Sequence, residues 1–241
     1  MGPSGAGKTT LLNILAGYIC RGSNGRVNVN GQDRRELGME QFRTVSCYIQ
    51  QEDIVRSRLT VMEAMMLATH LKLGCTISRE EKKLKNLYIF IPVLMFLFIY
   101  AIKACSYFQV EELLEMLGLA QNARTLSGKL SGGQKKRLSI ALELISNPPI
   151  LFLDEPTTGL DSCSTTSCIS LLRELAVNQG RTVVCTVHQP SALLFEQFSQ
   201  IYCLTGGRCL YQGQPSTITT FFMGHGLSCP PYHNPADFSK C

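Results

Sequence analysis

Gly2-Pro-Ser-Gly-Ala-Gly-Lys-Thr9 sets glycines, a lysine and a hydroxyl in the pattern G-x-x-x-x-G-K-T within a chain of 241 residues. Glycines let successive backbone N–H groups curl around a phosphate. A helix opening near Lys8 aims the positive end of its dipole at that anion, and Lys8 adds a point charge. Thr9 is placed to ligate Mg²⁺. The following stretch, Thr9 to Ala16, carries apolar Leu11, Leu12, Ile14 and Leu15 and stops at Gly17. It reads as a short helix, so the loop is a phosphate cradle at a helix start.

A carboxylate partner lies far downstream. Ile150-Leu-Phe-Leu153 is wholly apolar, as suits a strand buried on both faces of a parallel sheet, and it runs into Asp154 and Glu155. An acid ending such a strand beside the cradle can hold Mg²⁺ through water, and Glu155 is placed to polarise an attacking water. Ser167 to Gln179 reads as an amphipathic helix and Thr182 to Val187 as the next buried strand. Strand, helix and strand at this spacing form a βαβ unit, so the class is α/β. Elsewhere, Gly25 to Gln32 alternates like an edge strand before a turn, Val45 to Gln50 reads as a strand, and Val61 to Leu71 and Val110 to Gly118 read as helices. Ile201 to Leu204 and Arg208 to Tyr211, joined at Gly206-Gly207, read as a hairpin.

Composition sets limits. The net charge of +5 contains no long basic run and gives nucleic acid no preference as a partner. The 11 cysteines are odd in number and include no Cys-x-x-Cys pair, which suits free thiols in a reducing compartment rather than a disulfide framework or a zinc site.

Leu130-Ser-Gly-Gly-Gln134 is a second anion-binding element, with glycines and a hydroxyl ahead of a helix. One ATP does not need two cradles on one chain, whereas two ATPs sandwiched between two chains do. With this pentapeptide the sequence resembles the nucleotide-binding domain of ATP-binding cassette (ABC) proteins. The resemblance implies a P-loop NTPase of ABC type: a mostly parallel core sheet, an antiparallel β portion, and a helical subdomain carrying the signature. It makes Gly2, Pro3, Ser4, Gly5, Ala6, Gly7, Lys8, Thr9 and Thr10 the candidate ATP-binding residues. Leu130, Ser131, Gly132, Gly133 and Gln134 are the candidates facing the ATP of a second cassette in a homo- or heterodimer. Gln51 matches the glutamine that touches Mg²⁺ and couples to the membrane domain, with Gln50 competing for that role; Asp161 matches the residue contacting the other cassette; and His188 matches the γ-phosphate switch. The implied cofactors are ATP and Mg²⁺, with Thr9, Gln51 and Asp154 organising the metal and Glu155, His188 and Gln51 serving catalysis.

Asn147-Pro-Pro149, His188-Gln-Pro-Ser191 and Asn234-Pro-Ala-Asp-Phe238 look like the G subfamily, the White-type half-transporters, and most like its sterol- and lipid-exporting branch. The implied protein is an exporter ATPase on the cytoplasmic face, held at the membrane by a transmembrane domain expected C-terminal to this chain. An inactive fragment, a dimerisation module and a soluble ABC ATPase are the competing readings. The expected domain spans 1–228, with a helical subdomain at about 55–145, and 229–241 begins a linker. In such a fold a central strand feeds the P-loop. Gly2 follows Met1 directly, so the chain is expected to be truncated at its N-terminus, with the loop unanchored. Lys135, Lys136 and Arg137 read as a solvated helix face.

One segment departs from the resemblance. Leu87 to Ile102 is an uncharged apolar run just short of the roughly 18–20 residues a spanning helix needs. A single crossing there would put the P-loop and Asp154 on opposite sides of a bilayer, although both must hold one Mg-ATP. Removing Asn86 to Gln109 joins Ser78-Arg-Glu-Glu81, a capping box, to Val110-Glu-Glu-Leu113 in one helix. The insert therefore reads as a retained intron or as an insertion packed in the helical subdomain.

Overall fold

Helix α1 (Lys8–Leu15) starts where Gly7 turns left-handed at φ 93°. Residues 1–52, 55–72 and 107–227 are described in this computed structural model. They fall in two compact units, Met1–Glu52 with Pro148–Cys241, and Asp53–Asn147.

In the first unit, Leu12 of α1 and Ala16, which caps its C-terminal end, bury against Phe42 and Phe152. After α1 the chain makes a short antiparallel hairpin, β1 (Asn28–Val29) and β2 (Gln32–Asp33), turning on Asn30 at φ 50° and Gly31 at φ 85°. An edge strand across Gly25–Gln32 is thus not what forms. Asn30-Gly31 suits a two-residue turn, and the turn falls inside the expected strand. Helices α2 (Arg34–Leu37) and α3 (Met39–Val45) follow, without an apolar period long enough to announce them. Then comes β3 (Ser46–Ile49).

The second unit is helical. Helix α4 (Val61–Lys72) opens on a reciprocal cap, in which the Thr60 N–H donates to Glu63 Oε2 at 2.8 Å and the Glu63 N–H donates to Thr60 Oγ1 at 3.2 Å. Residues 107–116 form α5, which ends before Gly118 at φ 64°. Helix α6 (Gly132–Leu144) carries the signature at its start, and Lys72 of α4 pairs with Glu143 of α6 at 2.7 Å. Lys136 is 1% exposed, so the expected solvated face is corrected. Helical spacing puts Lys136 on the stripe of Gly133 and Ile140, both buried. The insert expected at 86–109 lies outside the described residues except for 107–109, which are helical. The apolar run Leu87 to Ile102, the Ser78 capping box and the tail from Cys229 also lie outside them. No helix among the described residues is long and apolar enough to cross a membrane.

Back in the first unit, β4 (Ile150–Leu153), α7 (Ser162–Val177) and β5 (Thr182–Cys185) complete the βαβ unit. The three-stranded sheet has the order β3-β4-β5, all parallel, with Cys47 opposite Leu151 and Leu151 opposite Val183. Leu151 and Leu153 are fully buried, as the apolar run requires. Helix α7 begins at Ser162 rather than Ser167, because the Asp161 carboxylate accepts the Ser164 N–H at 3.0 Å. Helix α8 (Ala192–Phe195) leads to the antiparallel pair β6 (Ile201–Thr205) and β7 (Arg208–Gly213), and α9 (Ile218–Gly224) packs Ile218 and Phe222 on the β6–β7 core.

Candidate nucleotide site

The P-loop is tied to β6 rather than left loose. The Met1 amine donates to the Tyr202 carbonyl at 2.6 Å, and the Leu204 N–H donates to the Met1 carbonyl at 2.8 Å. This pairing corrects the expectation of an unanchored loop. Gly2, at φ 151°, passes so close to β6 that an added Cβ would stand 2.1 Å from the Leu204 carbonyl oxygen. Ala6 closes a turn by donating its N–H to the Pro3 carbonyl at 3.3 Å and is buried. Ser4, Gly5, Thr9 and Thr10 are exposed, and Gly5 (φ 76°) and Gly7 are left-handed with nothing near where a Cβ would be. No side chain caps α1, so its first N–H groups suit an anion.

Lys8 is buried, and its ammonium lies over its own loop. Nζ donates to the Gly2 carbonyl at 3.0 Å and the Pro3 carbonyl at 3.1 Å, and stands 3.7 Å from Glu155 Oε1. The sheet brings the distant half of the site here. The Asp154 N–H donates to the Ile49 carbonyl at 2.9 Å, aligning the ends of β3 and β4. Asp154 is buried; its Oδ1 accepts the Thr9 hydroxyl at 3.1 Å and the Thr186 hydroxyl at 2.6 Å. Tyr48 reaches Asp154 Oδ2 at 3.4 Å, and its phenol is pushed above the usual range by burial first and then by the Asp154 charge and bond. Glu155, at φ 44°, receives the Thr158 hydroxyl on Oε2 at 2.9 Å.

Lys8, Thr9, Asp154 and Glu155, from sequence positions far apart, therefore converge on one point. Gln51 and its competitor Gln50 are both exposed just past β3, and His188 is exposed just past β5. Asp161, whose carboxyl is held below its usual range by the Ser164 bonds, caps α7. Sequence reasoning missed Thr186 and Tyr48, because a lone hydroxyl in or after a strand carries no motif; Thr158 belongs to the Thr158-Gly-Leu-Asp161 match, and its bond to Glu155 is what the structure adds.

The signature, in the other unit, is a helix start. Leu130 is buried, Ser131 and Gly132 are exposed, and Gly133 is buried. The Ser131 N–H donates to Gln134 Oε1 at 3.0 Å, and the Gln134 N–H donates to Ser131 Oγ at 3.3 Å. Gln134 Nε2 also donates to Asn122 Oδ1 at 3.3 Å, so the glutamine side chain holds the cap.

A left-handed glycine cradle at a helix start, facing an acid-terminated parallel strand, defines a P-loop nucleotide-binding protein. The family profile described as ABC transporter matches residues 1–158, and the chain belongs to that family. It is 40% identical over 246 residues to the protein scarlet of Drosophila melanogaster, an alignment covering 99% of this chain and 33% of that protein. It is 38% identical over 250 residues to ABC transporter G family member 13 of Arabidopsis thaliana, covering 100% of this chain and 32% of that protein. The chain thus spans about a third of the length of these curated relatives. Among solved structures, it is similar to the dimeric post-hydrolysis state of an ATP-binding cassette bound to ADP and Pi. The TM-score is 0.64 at 26% identity, covering 89% of this chain and 83% of that one. The ABC-type fold and the G-subfamily resemblance are both borne out.

Proposed function

We propose that this chain is the ATP-binding and ATP-hydrolysing cassette of a G-family ABC exporter that moves lipid- or sterol-like or other small hydrophobic substrates. The convergence of Lys8, Thr9, Asp154 and Glu155 carries this reading. In it, the loop amides and Lys8 hold phosphate, Lys8 exchanging the Gly2 and Pro3 carbonyls for phosphate oxygens. Thr9 and Asp154, with hard oxygens 3.1 Å apart, suit Mg²⁺, which takes few protein ligands and keeps water and phosphate oxygens. Bound Mg²⁺ supplies charge neutralisation for the phosphates. Glu155, aimed by Thr158, accepts a proton from the attacking water, and Gln51 and His188 serve the metal and the γ-phosphate from the sheet edge. Ser131 and Gly133 act on the ATP of a second cassette, as the dimeric neighbour suggests. A membrane domain beyond this chain selects the substrate and holds the cassette on the cytoplasmic face.

Mg²⁺-dependent ATP hydrolysis by the purified chain tests the reading, with Glu155→Gln expected to keep ATP binding and lose turnover about 100-fold or more. A folded wild-type chain that binds ATP without turnover would instead favour an inactive dimerisation module. Substrate class is read from vesicle export by the protein extended through its membrane domain.

A further inference from the structure

Thr186 lies one residue past β5 and is 6% exposed. Its N–H donates to the Leu153 carbonyl at 3.0 Å, which extends the β4–β5 ladder and seats its side chain at the strand ends. A threonine hydroxyl has one hydrogen to donate and lone pairs to accept with. Here it donates to Asp154 Oδ1 at 2.6 Å and accepts the Glu155 N–H at 2.8 Å. Glu155 sits at φ 44°, a left-handed backbone that non-glycine residues seldom adopt. One hydroxyl therefore holds both the carboxylate orientation of Asp154 and the turn that aims Glu155. Tyr48 braces the other Asp154 oxygen through a longer bond of 3.4 Å.

We infer that Thr186 is a positioning residue for ATP hydrolysis, setting Asp154 for the metal and Glu155 for the water through its single hydroxyl. The inference rests on the function proposed above. Valine fills the same space without either bond, and serine keeps both.

The test measures kcat, the KM for Mg-ATP, binding of metal-free ATP, and Mn²⁺ binding in the presence of ATP by electron paramagnetic resonance. It uses the full chain, Thr186→Val, Thr186→Ala and Thr186→Ser. Losing an outer-shell partner of a metal ligand lowers affinity or activity about 10- to 100-fold, and that drop is expected for kcat and Mn²⁺ affinity in the valine and alanine variants. Binding of metal-free ATP should stay within about 3-fold, because the P-loop contacts are untouched, while the KM for Mg-ATP rises with the loss of metal affinity. Thr186→Ser should stay within about 3-fold of wild type on every readout. Wild-type kcat and Mn²⁺ binding in Thr186→Val overturn the inference, as does a serine variant as slow as valine, which would point to the methyl group. If both hydroxyl-free variants lose native circular dichroism, Thr186 is structural and the inference likewise falls. A wild-type chain without ATPase activity overturns the functional reading and this inference together, whereas an active wild type with an indifferent Thr186→Val overturns this inference alone.

Discussion

Removing the Arg34 guanidinium should loosen the helix that carries the P-loop. Arg34 is 7% exposed; its Nη1 donates to the Ile14 and Leu15 carbonyls at 2.6 Å each, and its Cζ stands 5.5 Å from the Phe42 ring centroid. These carbonyls close the C-terminal end of α1, where the helix dipole is negative and a cation is favoured. Each charge-assisted bond contributes about 1.5–3 kcal/mol and the cation–π contact about 1 kcal/mol. The desolvation of a buried guanidinium offsets part of this, leaving a net cost of about 2–4 kcal/mol for Arg34→Met. At about 2–4 °C per kcal/mol in a chain of this size, the midpoint should fall by about 5–15 °C. Differential scanning fluorimetry and urea unfolding read this directly, and ATP affinity should weaken alongside, since Lys8 and Thr9 begin the same helix. Arg34→Lys should recover only part of the loss, its shorter reach sparing one carbonyl at most. An Arg34→Met chain within about 0.5 kcal/mol of wild type would refute the assignment, that being the spread of a neutral surface change.

Gly2→Ala should destabilise the chain by about 1–3 kcal/mol, through left-handed strain and the 2.1 Å approach to Leu204, and should weaken nucleotide binding; urea unfolding and ATP titration check this. Ser131→Ala removes the α6 cap and should cost about 0.5–2 kcal/mol, with Ser131→Asn sparing most of it, by the same unfolding assay. Desolvation pushes the thiol of Cys185, a residue half-buried by its accessible surface, from 9.0 up to about 12. The folded state thus favours the neutral thiol: its contribution is complete below about pH 9 and is lost as pH rises toward 12, a slope that Cys185→Ala should flatten in unfolding measured across that range. Native Cys185 should accordingly react with thiol reagents far more slowly than exposed Cys20 or Cys163.

Wherever the chemistry is local, the order of residues alone determined the outcome. The P-loop glycines, the apolar Ile150–Leu153 strand and the helix after Leu130-Ser-Gly-Gly-Gln134 each follow from backbone freedom, burial on two sheet faces or capping, which neighbours in sequence settle between themselves. The hairpin at Asn30-Gly31 and the early start of α7 at Asp161 were legible in the same way, but a longer apolar pattern hid the turn in one case and the cap in the other. Only the tertiary structure decided that Thr186 and Tyr48 hold Asp154, that Arg34 closes α1, and that Lys136 belongs to a buried stripe. A hydroxyl or a cation gains its meaning from the partner that packing brings within 3 Å or so, and hydrogen bonds act only at that range. The sheet register that places Leu153 beside Cys185 also carries Thr186 to Asp154, and no period along the chain records that pairing.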